Sequence, residues 1–399
     1  MLTPCFRWHP DTRFFAGTEE VIPGESVPVA AIGATPVNDA ITALHTALAV
    51  KTGFCISDPA LADLAPLPPL HFATLTGGTS GTPKVILRTQ ASWIASFDIN
   101  ARHFGYAATD SVAVLGGLGH SLVLYGVMEG LYLGLSVHAL STLKPSGQSA
   151  EMRRRRCPIL YATPTQLRLL SKGKPLPDVR LILCGGGTLG AEVRRHINVV
   201  CPNAKLHIFY GAAETSFITM GDSATPEGSV GKAYMGVEIT VREPDSSGTG
   251  LVWVRSPYLF EHYHQGESPH TRRDGDWLTV GEYGAIDAEG HLYLRGRAGR
   301  VVNIADITVF PEELEAQLST IKGVSICAVL ARHDTLRGKH LIAVLPGPTD
   351  QALRKRLLAH CEDNRLTPLR DVLFLEPFPL LPSGKPDLRR IAALTGSTT

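Results

Sequence analysis

The sequence has almost no surplus of charge. It contains 38 Lys and Arg residues against 37 Asp and Glu residues, so its formal net charge is +1. Proteins that bind nucleic acids or membrane surfaces depend on excess positive charge, and we therefore expect neither kind of partner. Hydrophobic residues make up 44% of the chain and charged residues 19%. This balance excludes a disordered, collagen-like or coiled-coil chain and favours a globular protein.

Cysteine is scarce and unpaired. The seven cysteines are an odd number and form no Cys-x-x-Cys pair; they are Cys5, Cys55, Cys157, Cys184, Cys201, Cys327 and Cys361. Disulfide frameworks and zinc sites need paired or closer spacing. We therefore expect reduced thiols, as in a cytoplasmic protein.

A long apolar run is absent as well. The most apolar region, residues 111–140, is rich in glycine and is interrupted by His120, Ser121 and Glu129, so it does not predict a membrane span. The first 15 residues mix aromatic, charged and proline residues and do not resemble a signal peptide. We therefore expect a cytoplasmic protein without membrane segments.

Short apolar runs alternate with helical patterns over much of the chain. The order strand, glycine turn, helix, strand indicates a layered α/β domain with ligand loops at the strand ends. It is formed by Val179–Cys184, Gly185–Gly187, Leu189–Val200 and Lys205–Tyr210, and further strands are predicted over residues 248–256 and 291–295.

The pattern changes after Arg297. A helix is predicted from Pro311, strands over residues 325–331 and 340–345, and a helix near residues 350–362. A chain of 399 residues is expected to hold two or three domains. We therefore predict a large layered α/β domain over residues 1–297 and a small α+β domain over residues 298–399.

Four consecutive arginines follow Met152. Such a run could bind an anion, but a solvated helix face or turn explains it more simply. We assign no functional role to residues 153–156.

A segment rich in glycine and hydroxyl groups follows the apolar stretch His71–Leu75. It consists of Thr76, Gly77, Gly78, Thr79, Ser80, Gly81, Thr82, Pro83 and Lys84. Glycines let the backbone curl around an anion, N–H groups and hydroxyls donate to phosphate oxygens, and the lysine adds positive charge. It is not a Walker A loop, because proline precedes the lysine and no Ser or Thr follows it. Taken alone, the segment leaves open a phosphate loop or a flexible turn.

The segment resembles the phosphate loop of the adenylate-forming enzymes, which include acyl-CoA synthetases, adenylation domains of peptide synthetases and luciferases. Further motifs of that family follow in the same order over residues 70–390, and an ordered set is far more specific than one motif. They are Gly185-Gly186-Gly187, Tyr210-Gly211-Ala212-Ala213-Glu214, Gly228–Lys232, Trp277–Glu282, Gly290–Arg297, Pro311–Glu315 and Pro382-Ser383-Gly384-Lys385. The chain is identified as a member of this family, similar to acyl- or aryl-CoA synthetases with a shortened N-terminal domain.

The resemblance implies a two-step reaction that uses ATP and Mg²⁺. A carboxylate and ATP give an acyl-adenylate and pyrophosphate, and the acyl group then passes to CoA or to the phosphopantetheine of a carrier protein. Catalysis must stabilise charge on the α-phosphoryl group during its transfer.

The resemblance also implies a role for each matched residue. The loop Thr76–Lys84 holds the β- and γ-phosphates, Gly185, Gly186 and Gly187 lie against the adenine, Tyr210 stacks on it, and Gly211, Ala212 and Ala213 complete the nucleotide site. Glu214 is catalytic through Mg²⁺, Glu282 and Arg297 hold the ribose hydroxyls, and Lys385, on a mobile small domain, bridges the carboxylate and the α-phosphate.

The same resemblance places the acyl pocket near His120, Ser121, Tyr125 and Gly126, together with Gly185, Gly211 and Ala212. Small residues there leave room for a bulky apolar or aromatic acid. Members that activate amino acids carry an aspartate near the start of the acyl-site helix, and its absence disfavours an α-amino acid. A packed structural role for His120 is the alternative.

Four positions depart from the family pattern. Ala213 replaces a threonine whose hydroxyl is expected to bond the α-phosphate, a loss of about 1.5–3 kcal/mol. Enzymes lower their barriers by at least ~8 kcal/mol, so this loss slows catalysis without abolishing it. Glu282 replaces an aspartate but keeps the carboxylate. Gln90 stands where a histidine is frequent, and Gly299 stands at the hinge, where glycine absorbs backbone rotation.

A fifth departure concerns the second half-reaction. Asp306 stands where related enzymes carry glycine, in the loop expected to line the pantetheine tunnel. A carboxylate there narrows the tunnel and must be desolvated or paired, which predicts a weaker or more specialised thioester step. The alternative is that Asp306 turns outward and leaves an ordinary CoA ligase.

About 75 residues precede the phosphate loop, fewer than in most members. We expect a second copy to cover the apolar surface this leaves, and therefore a homodimer. The leading function is a ligase that joins an aryl, fatty or other apolar acid to CoA. The alternatives are loading of a carrier protein and, because of Ala213 and Glu282, a non-catalytic nucleotide-binding relative.

Overall fold

The computed structural model describes residues 3–76, 84–170, 173–187, 189–304, 307–334, 338–381 and 385–398. Its helices are α1 (Val37–Val50), α2 (Gln90–Phe104), α3 (Ser121–Leu133), α4 (Pro145–Arg155), α5 (Pro164–Leu169), α6 (Ala191–Val200), α7 (Pro311–Leu318), α8 (Gln351–Asp363) and α9 (Leu388–Thr395), with a 3₁₀ turn at Ala298–Arg300.

The strands of the first 220 or so residues are β1 (Phe14–Ala16), β2 (Glu19–Val21), β3 (Ala31–Gly33), β4 (Phe54–Ser57), β5 (His71–Leu75), β6 (Val85–Thr89), β7 (Ser111–Val114), β8 (Ser136–Ala139), β9 (Ile159–Ala162), β10 (Leu181–Cys184), β11 (Lys205–Tyr210) and β12 (Thr219–Gly221). The later strands are β13 (Ser229–Ala233), β14 (Glu238–Arg242), β15 (Gly250–Arg255), β16 (His262–Gln265), β17 (Arg272–Asp274), β18 (Trp277–Thr279), β19 (Glu282–Ile286), β20 (His291–Arg297), β21 (Val302–Ile304), β22 (Ile307–Val309), β23 (Ala328–Asp334), β24 (Gly338–Pro346) and β25 (Leu369–Leu375).

The largest sheet has the order β17-β18-β15-β19-β20-β13-β12-β11-β10-β9-β7-β8-β1-β2, with β14 paired to β15. In the stretch β11-β10-β9-β7-β8-β1 of this sheet, each strand runs parallel to its neighbours. Strands β7, β9 and β10 are buried at every residue because helices cover both faces, so their sequences are apolar runs rather than alternating patterns. The carboxyl ends of parallel strands meet at one edge of a sheet, where α/β proteins place their ligand loops.

A second sheet has the order β16-β6-β5-β4-β3. Strands β5 and β6 form an antiparallel hairpin whose connection is the predicted phosphate loop. The Thr76 N–H donates to the Lys84 carbonyl at 3.0 Å, and the Lys84 N–H donates to the Thr76 hydroxyl at 3.3 Å, so the two ends of the loop are tied together. The predicted phosphate contacts at Gly77, Gly78, Thr79, Ser80, Gly81 and Thr82 lie outside the described residues.

The main core lies between the two sheets and takes in α1, α2 and α3. The N-terminal segment enters this core at Phe6, which is 2% exposed and lies 5.2 Å from Phe72 and 6.1 Å from Phe97 between ring centroids. The Phe6 N–H donates to the side-chain oxygen of Gln90 at 2.8 Å. Gln90, where the family often has histidine, is therefore used to hold the N-terminal segment in the core.

Residues after 300 form separate apolar cores. One core contains residues of β21, β22, β23 and β24 together with α7 and α8. Another packs β23, β24 and β25 against α9. Independent cores are what the predicted boundary at 297/298 requires, and the boundary itself stays a prediction. We call residues 3–297 the large part and residues 298–398 the small part.

The two parts meet where β20 passes α7. Arg295 of the large part pairs with Glu313 of the small part at 2.9 Å, and both side chains are partly exposed. The Tyr283 and Phe310 rings also meet, with centroids 5.6 Å apart. A Cβ atom on Gly296 would lie 2.7 Å from a carboxylate oxygen of Glu312, so glycine permits this close approach.

The first three arginines of the run form the last turn of α4, and Arg156 follows the helix. Arg154 and Arg155 both pair with Glu151, and the Arg155 guanidinium lies 4.0 Å from the Phe15 ring centroid. Arg153 donates to the carbonyls of Lys174 and Pro175. These contacts fit the structural interpretation of the run.

The predicted α/β class is confirmed. The strand Lys205–Tyr210 and the helix start at Pro311 agree with the sequence predictions, and the strand predicted from 179 begins at Leu181. Among the residues described, no helix combines the length and apolar character needed to cross a bilayer.

Candidate active site

Three loops meet at the carboxyl edge of the large sheet, after β7, β10 and β11. The first ends at His120, whose ring nitrogen Nδ1 accepts a hydrogen bond from the Leu122 N–H at 3.3 Å and so caps α3. The second holds Gly186 at φ +86°, in the left-handed region that favours glycine. A Cβ atom on Gly186 would lie 4.0 Å from the His120 ring, so the predicted acyl and adenine segments are neighbours.

The exposure of these segments agrees with a cleft. Gly186 and Gly187 are exposed, whereas Gly185 is buried beside the Leu122 side chain. Ser121 is half-buried in the first turn of α3. The predicted adenine segment therefore presents bare backbone to solvent next to the start of the acyl-site helix.

The third loop, residues 211–216, is tightly folded. A Cβ atom on Gly211 would lie 1.7 Å from the Ser216 carbonyl oxygen, so a residue with a side chain does not fit there. The Thr215 hydroxyl accepts from the Ala212 N–H at 2.9 Å, and the Ser216 N–H donates to the Ala212 carbonyl at 2.9 Å. The loop thus has one defined shape and carries Glu214 on it.

Glu214 is held by its carboxylate and by its backbone. The Tyr263 hydroxyl donates to the carboxylate at 2.7 Å, and the Phe260 N–H donates to the Glu214 carbonyl at 2.8 Å. The Lys84 ammonium lies 5.4 Å from the Tyr263 ring centroid. The predicted metal ligand and the lysine of the predicted phosphate loop therefore share one aromatic neighbour.

Glu282 and Arg297 form an ion pair beside Tyr210. The Arg297 Nε donates to Glu282 at 3.0 Å, and the charge of Glu282 raises the pKa of Arg297. Glu282 is 8% exposed. The Tyr210 hydroxyl is buried beside Glu282, and burial, reinforced by Glu282, raises its pKa well above the ordinary value. A buried hydroxyl next to an ion pair is suited to contact a polar ligand.

Lys385, an exposed residue of the small part, interacts electrostatically with this site. Loss of water around the ammonium lowers the pKa of Lys385, Arg297 acts in the same direction, and Glu282 opposes them. Burial lowers the pKa of His120, and the Lys385 charge lowers it further. The structure therefore brings Lys385, His120, Glu282 and Arg297 into one electrostatic neighbourhood.

Tyr125 and Gly126 lie one turn into α3 and face the core. The Tyr125 hydroxyl bonds to Ser96 at 2.6 Å and accepts from Asn100 at 3.0 Å. A Cβ atom on Gly126 would lie 2.8 Å from the Tyr161 ring. The expectation that Gly126 leaves room for the acid needs correction: that space is filled by Tyr161, and the glycine lets the helix pack closely on the sheet.

A buried carboxyl group, Glu129, follows on the same helix. It is fully buried and accepts hydrogen bonds from Asn100 at 2.8 Å, Tyr161 at 2.6 Å and Tyr106 at 3.3 Å. Burial raises the pKa of Glu129 to about 7, although the three hydrogen bonds oppose the shift. The group therefore changes charge near neutral pH, on the buried face of the acyl-site helix eight residues after its first residue.

This carboxyl predicts a pH dependence of stability. The pKa of Glu129 lies near its ordinary value of 4.5 when unfolded and near 7 when folded, so the folded protein binds the extra proton. The contribution of this proton to the free energy of unfolding is therefore complete below pH 4.5 and is lost as the pH rises through 7. In Glu129→Gln, the fall of the unfolding midpoint between pH 5 and pH 8 should be smaller than in the wild type. Thermal unfolding followed by circular dichroism checks this, and parallel pH profiles would contradict it.

Sequence reasoning passed over two residues that contact the Glu214 loop, Tyr263 and Arg88. The one available signal was a charged residue inside the apolar run of β6. Asp306, predicted to line the pantetheine tunnel, and the segment Pro382-Ser383-Gly384 lie outside the described residues.

Comparison with known proteins agrees with the geometry. A family model described as AMP-binding enzyme matches residues 38–264. The uncharacterized acyl-CoA ligase YhfT of Bacillus subtilis is 31% identical over 322 residues, covering 77% of this chain and 66% of YhfT. The 2-succinylbenzoate-CoA ligase of Arabidopsis thaliana is 27% identical over 361 residues, covering 78% of this chain and 64% of that enzyme. The chain thus spans about two thirds of the length of these relatives.

A solved structure shows the same fold. The o-succinylbenzoate CoA synthetase MenE of Bacillus subtilis, in complex with its acyl-adenylate intermediate OSB-AMP, matches with a TM-score of 0.70 at 23% identity. The match covers 80% of this chain and 68% of MenE. At this identity the match speaks for the fold.

Proposed function

Because the chain belongs to the family of AMP-binding enzymes, we propose that it is an ATP-dependent carboxylic acid ligase that forms an acyl-adenylate and then a thioester with CoA. The observation that carries the proposal is the meeting of three loops at the carboxyl edge of the large sheet, with Glu214 held by Tyr263 on the third loop and the Glu282–Arg297 pair beside Tyr210. The names of YhfT and of the Arabidopsis relative, and the acyl-adenylate bound to MenE, support the same reaction class.

The nucleotide site follows from this proposal. Thr76 and Lys84 hold the ends of the phosphate loop, the backbone of Gly185–Gly187 borders the base, and Tyr210 stacks on it. Arg297 and Glu282 take the ribose hydroxyls. The buried Tyr210 hydroxyl, beside Glu282, is a polar atom that a bound nucleotide can contact.

Glu214 fits a magnesium ion, because a carboxylate is the hard oxygen ligand that Mg²⁺ prefers. When bound, Mg²⁺ supplies charge neutralisation at the phosphates. The contacts with Tyr263 and Phe260 hold the Glu214 side chain and backbone in place before any ligand arrives.

The first half-reaction brings two anions together. A carboxylate oxygen of the acid attacks the α-phosphorus, and the bond to pyrophosphate breaks. In our proposal Lys385 lies between the two anions and offsets their repulsion, and its preorganised charge acts where new charge develops. His120 borders the acid, with Leu122 and Gly185 beside it, which suits an apolar or aromatic acid.

Acid-dependent exchange of pyrophosphate into ATP tests the proposal. A panel of aryl, fatty and dicarboxylic acids is assayed without acceptor, and acyl transfer is then compared between CoA and a phosphopantetheine-loaded carrier protein. Exchange followed by transfer to CoA supports the ligase. Transfer to the carrier alone would make the chain a loading enzyme, and ATP binding without exchange for any acid would make it a non-catalytic relative.

We also propose that the small part rotates between the two half-reactions about Gly299. A Cβ atom at this position would lie 3.0 Å from His270 Nε2, so the variant Gly299→Ala controls for that contact. Gly299→Pro fixes φ and should lower transfer to CoA by roughly tenfold or more while pyrophosphate exchange changes little. Equal effects of Pro and Ala on both half-reactions would contradict a pivot at Gly299.

The homodimer and the cytoplasmic location stay predictions.

A further inference from the structure

Arg88 is a charged residue inside a buried strand. It lies on β6, four residues after Lys84, and is 1% exposed. Burying a guanidinium is costly unless it is paired and hydrogen-bonded, so such a residue needs a compensating set of contacts.

The contacts of Arg88 are with two other segments of the chain. One guanidinium nitrogen donates to the Tyr258 carbonyl at 2.7 Å, and another donates to the Ala213 carbonyl. Ala213 directly precedes Glu214. The Phe260 N–H, two residues after Tyr258, donates to the Glu214 carbonyl at 2.8 Å. The guanidinium therefore joins the strand after the phosphate loop to both backbone segments that hold Glu214.

We propose that Arg88 is a positioning residue that fixes the orientation of the Glu214 carboxylate for Mg²⁺, an inference that rests on the proposed function. The planar fork of the guanidinium places two donors on two carbonyls at once, which a lysine ammonium on a single stem does not reproduce. The bond to the Ala213 carbonyl holds this residue by its backbone, so the contact does not depend on the side chain at position 213.

Electrostatics supports this assignment. Burial lowers the pKa of Arg88 to about 9, and the charge of Glu214 opposes the shift. Arg88 therefore stays protonated at neutral pH. Its positive charge therefore lies directly behind the loop that carries Glu214.

Two variants separate the geometric role from a general loss of stability. Arg88→Lys keeps the charge and loses the fork, and Arg88→Met loses both. Tyr234→Phe is the matched control, because it removes a buried 2.6 Å hydrogen bond to Asn100 that does not touch the loop. For each variant the unfolding midpoint and the equilibrium affinity for ATP are measured over a series of Mg²⁺ concentrations and without Mg²⁺.

We expect the Mg²⁺ concentration for half-maximal tightening of ATP binding to rise at least tenfold in Arg88→Met and less in Arg88→Lys. Metal-free ATP affinity should stay within threefold, and Tyr234→Phe should lower only the unfolding midpoint. Glu214→Gln should remove the Mg²⁺ effect, and adding Arg88→Met to it should change nothing further. Unchanged Mg²⁺ dependence in folded Arg88 variants would overturn the assignment.

The binding assay needs no acid, so it separates this inference from the proposed function. If the wild type fails to exchange pyrophosphate but the Mg²⁺ dependence moves as expected, the ligase proposal fails and the role of Arg88 stands. If the wild type exchanges pyrophosphate but the Mg²⁺ dependence of ATP binding is unchanged in the Arg88 variants, the ligase proposal stands and the role of Arg88 fails.

Discussion

Replacement of Lys385 by alanine is expected to slow acyl-adenylate formation by roughly 100- to 1,000-fold, as for the loss of a preorganised donor at a developing charge. ATP affinity should change little, because the nucleotide contacts proposed for Tyr210, Glu282 and Arg297 belong to the large part. A group that acts mainly in the transition state lowers the rate without weakening ground-state binding. Single-turnover pyrophosphate release and calorimetric ATP binding measure the two quantities.

The control for this variant is Lys355→Ala, which removes an exposed lysine from α8 of the same small part. It should leave both quantities unchanged. Near-normal pyrophosphate release by Lys385→Ala would show that the cation beside His120 is not the catalytic one. A parallel loss of ATP affinity would instead make Lys385 a nucleotide-binding residue.

Gly211→Ala is expected to lower pyrophosphate exchange by roughly 100-fold, the scale on which small misplacements of a catalytic group act. The added methyl group would lie 1.7 Å from the Ser216 carbonyl oxygen, so the loop must open and carry Glu214 away from Tyr263. The clash is with backbone rather than with a flexible side chain, so the unfolding midpoint of the variant must first show that it is folded.

The matched control for this prediction is Gly24→Ala, because an added methyl group there meets no atom within 4 Å. Exchange rates and unfolding midpoints of both variants are compared with the wild type. Full exchange activity in Gly211→Ala would mean that the loop adjusts without moving Glu214, and the steric argument would be wrong.

The local sequence pattern was enough to predict individual strands and the starts of helices. Lys205–Tyr210 is rich in strand formers and followed by glycine, and it forms β11 with those bounds. Pro311 is suited to the first turn of a helix and begins α7. The ordered motifs also indicated Glu214, Glu282, Arg297 and Lys385, whose roles stay proposals.

What the sequence could not predict depends on side-chain direction and on long-range contacts. Gly126 suggests open space, but only the three-dimensional packing reveals that Tyr161 fills it. Arg88 interrupts an apolar run, but the local sequence does not indicate which residues it contacts, because Ala213 and Tyr258 lie 125 and 170 residues away along the chain. Contacts at such distances leave no periodic signal.

The ion pair between Arg295 and Glu313 affects the equilibrium between the two orientations of the small part in the proposed rotation. Its side chains are 38% and 40% exposed, and pairs of that exposure are worth up to about 1 kcal/mol. Breaking it would change the ratio of the two orientations by roughly fivefold at most. By contrast, Arg300 and Glu315 are mostly buried and both belong to the small part, so they travel together. Substitutions at Arg295 would therefore tune the fraction of time spent in each half-reaction rather than block either one.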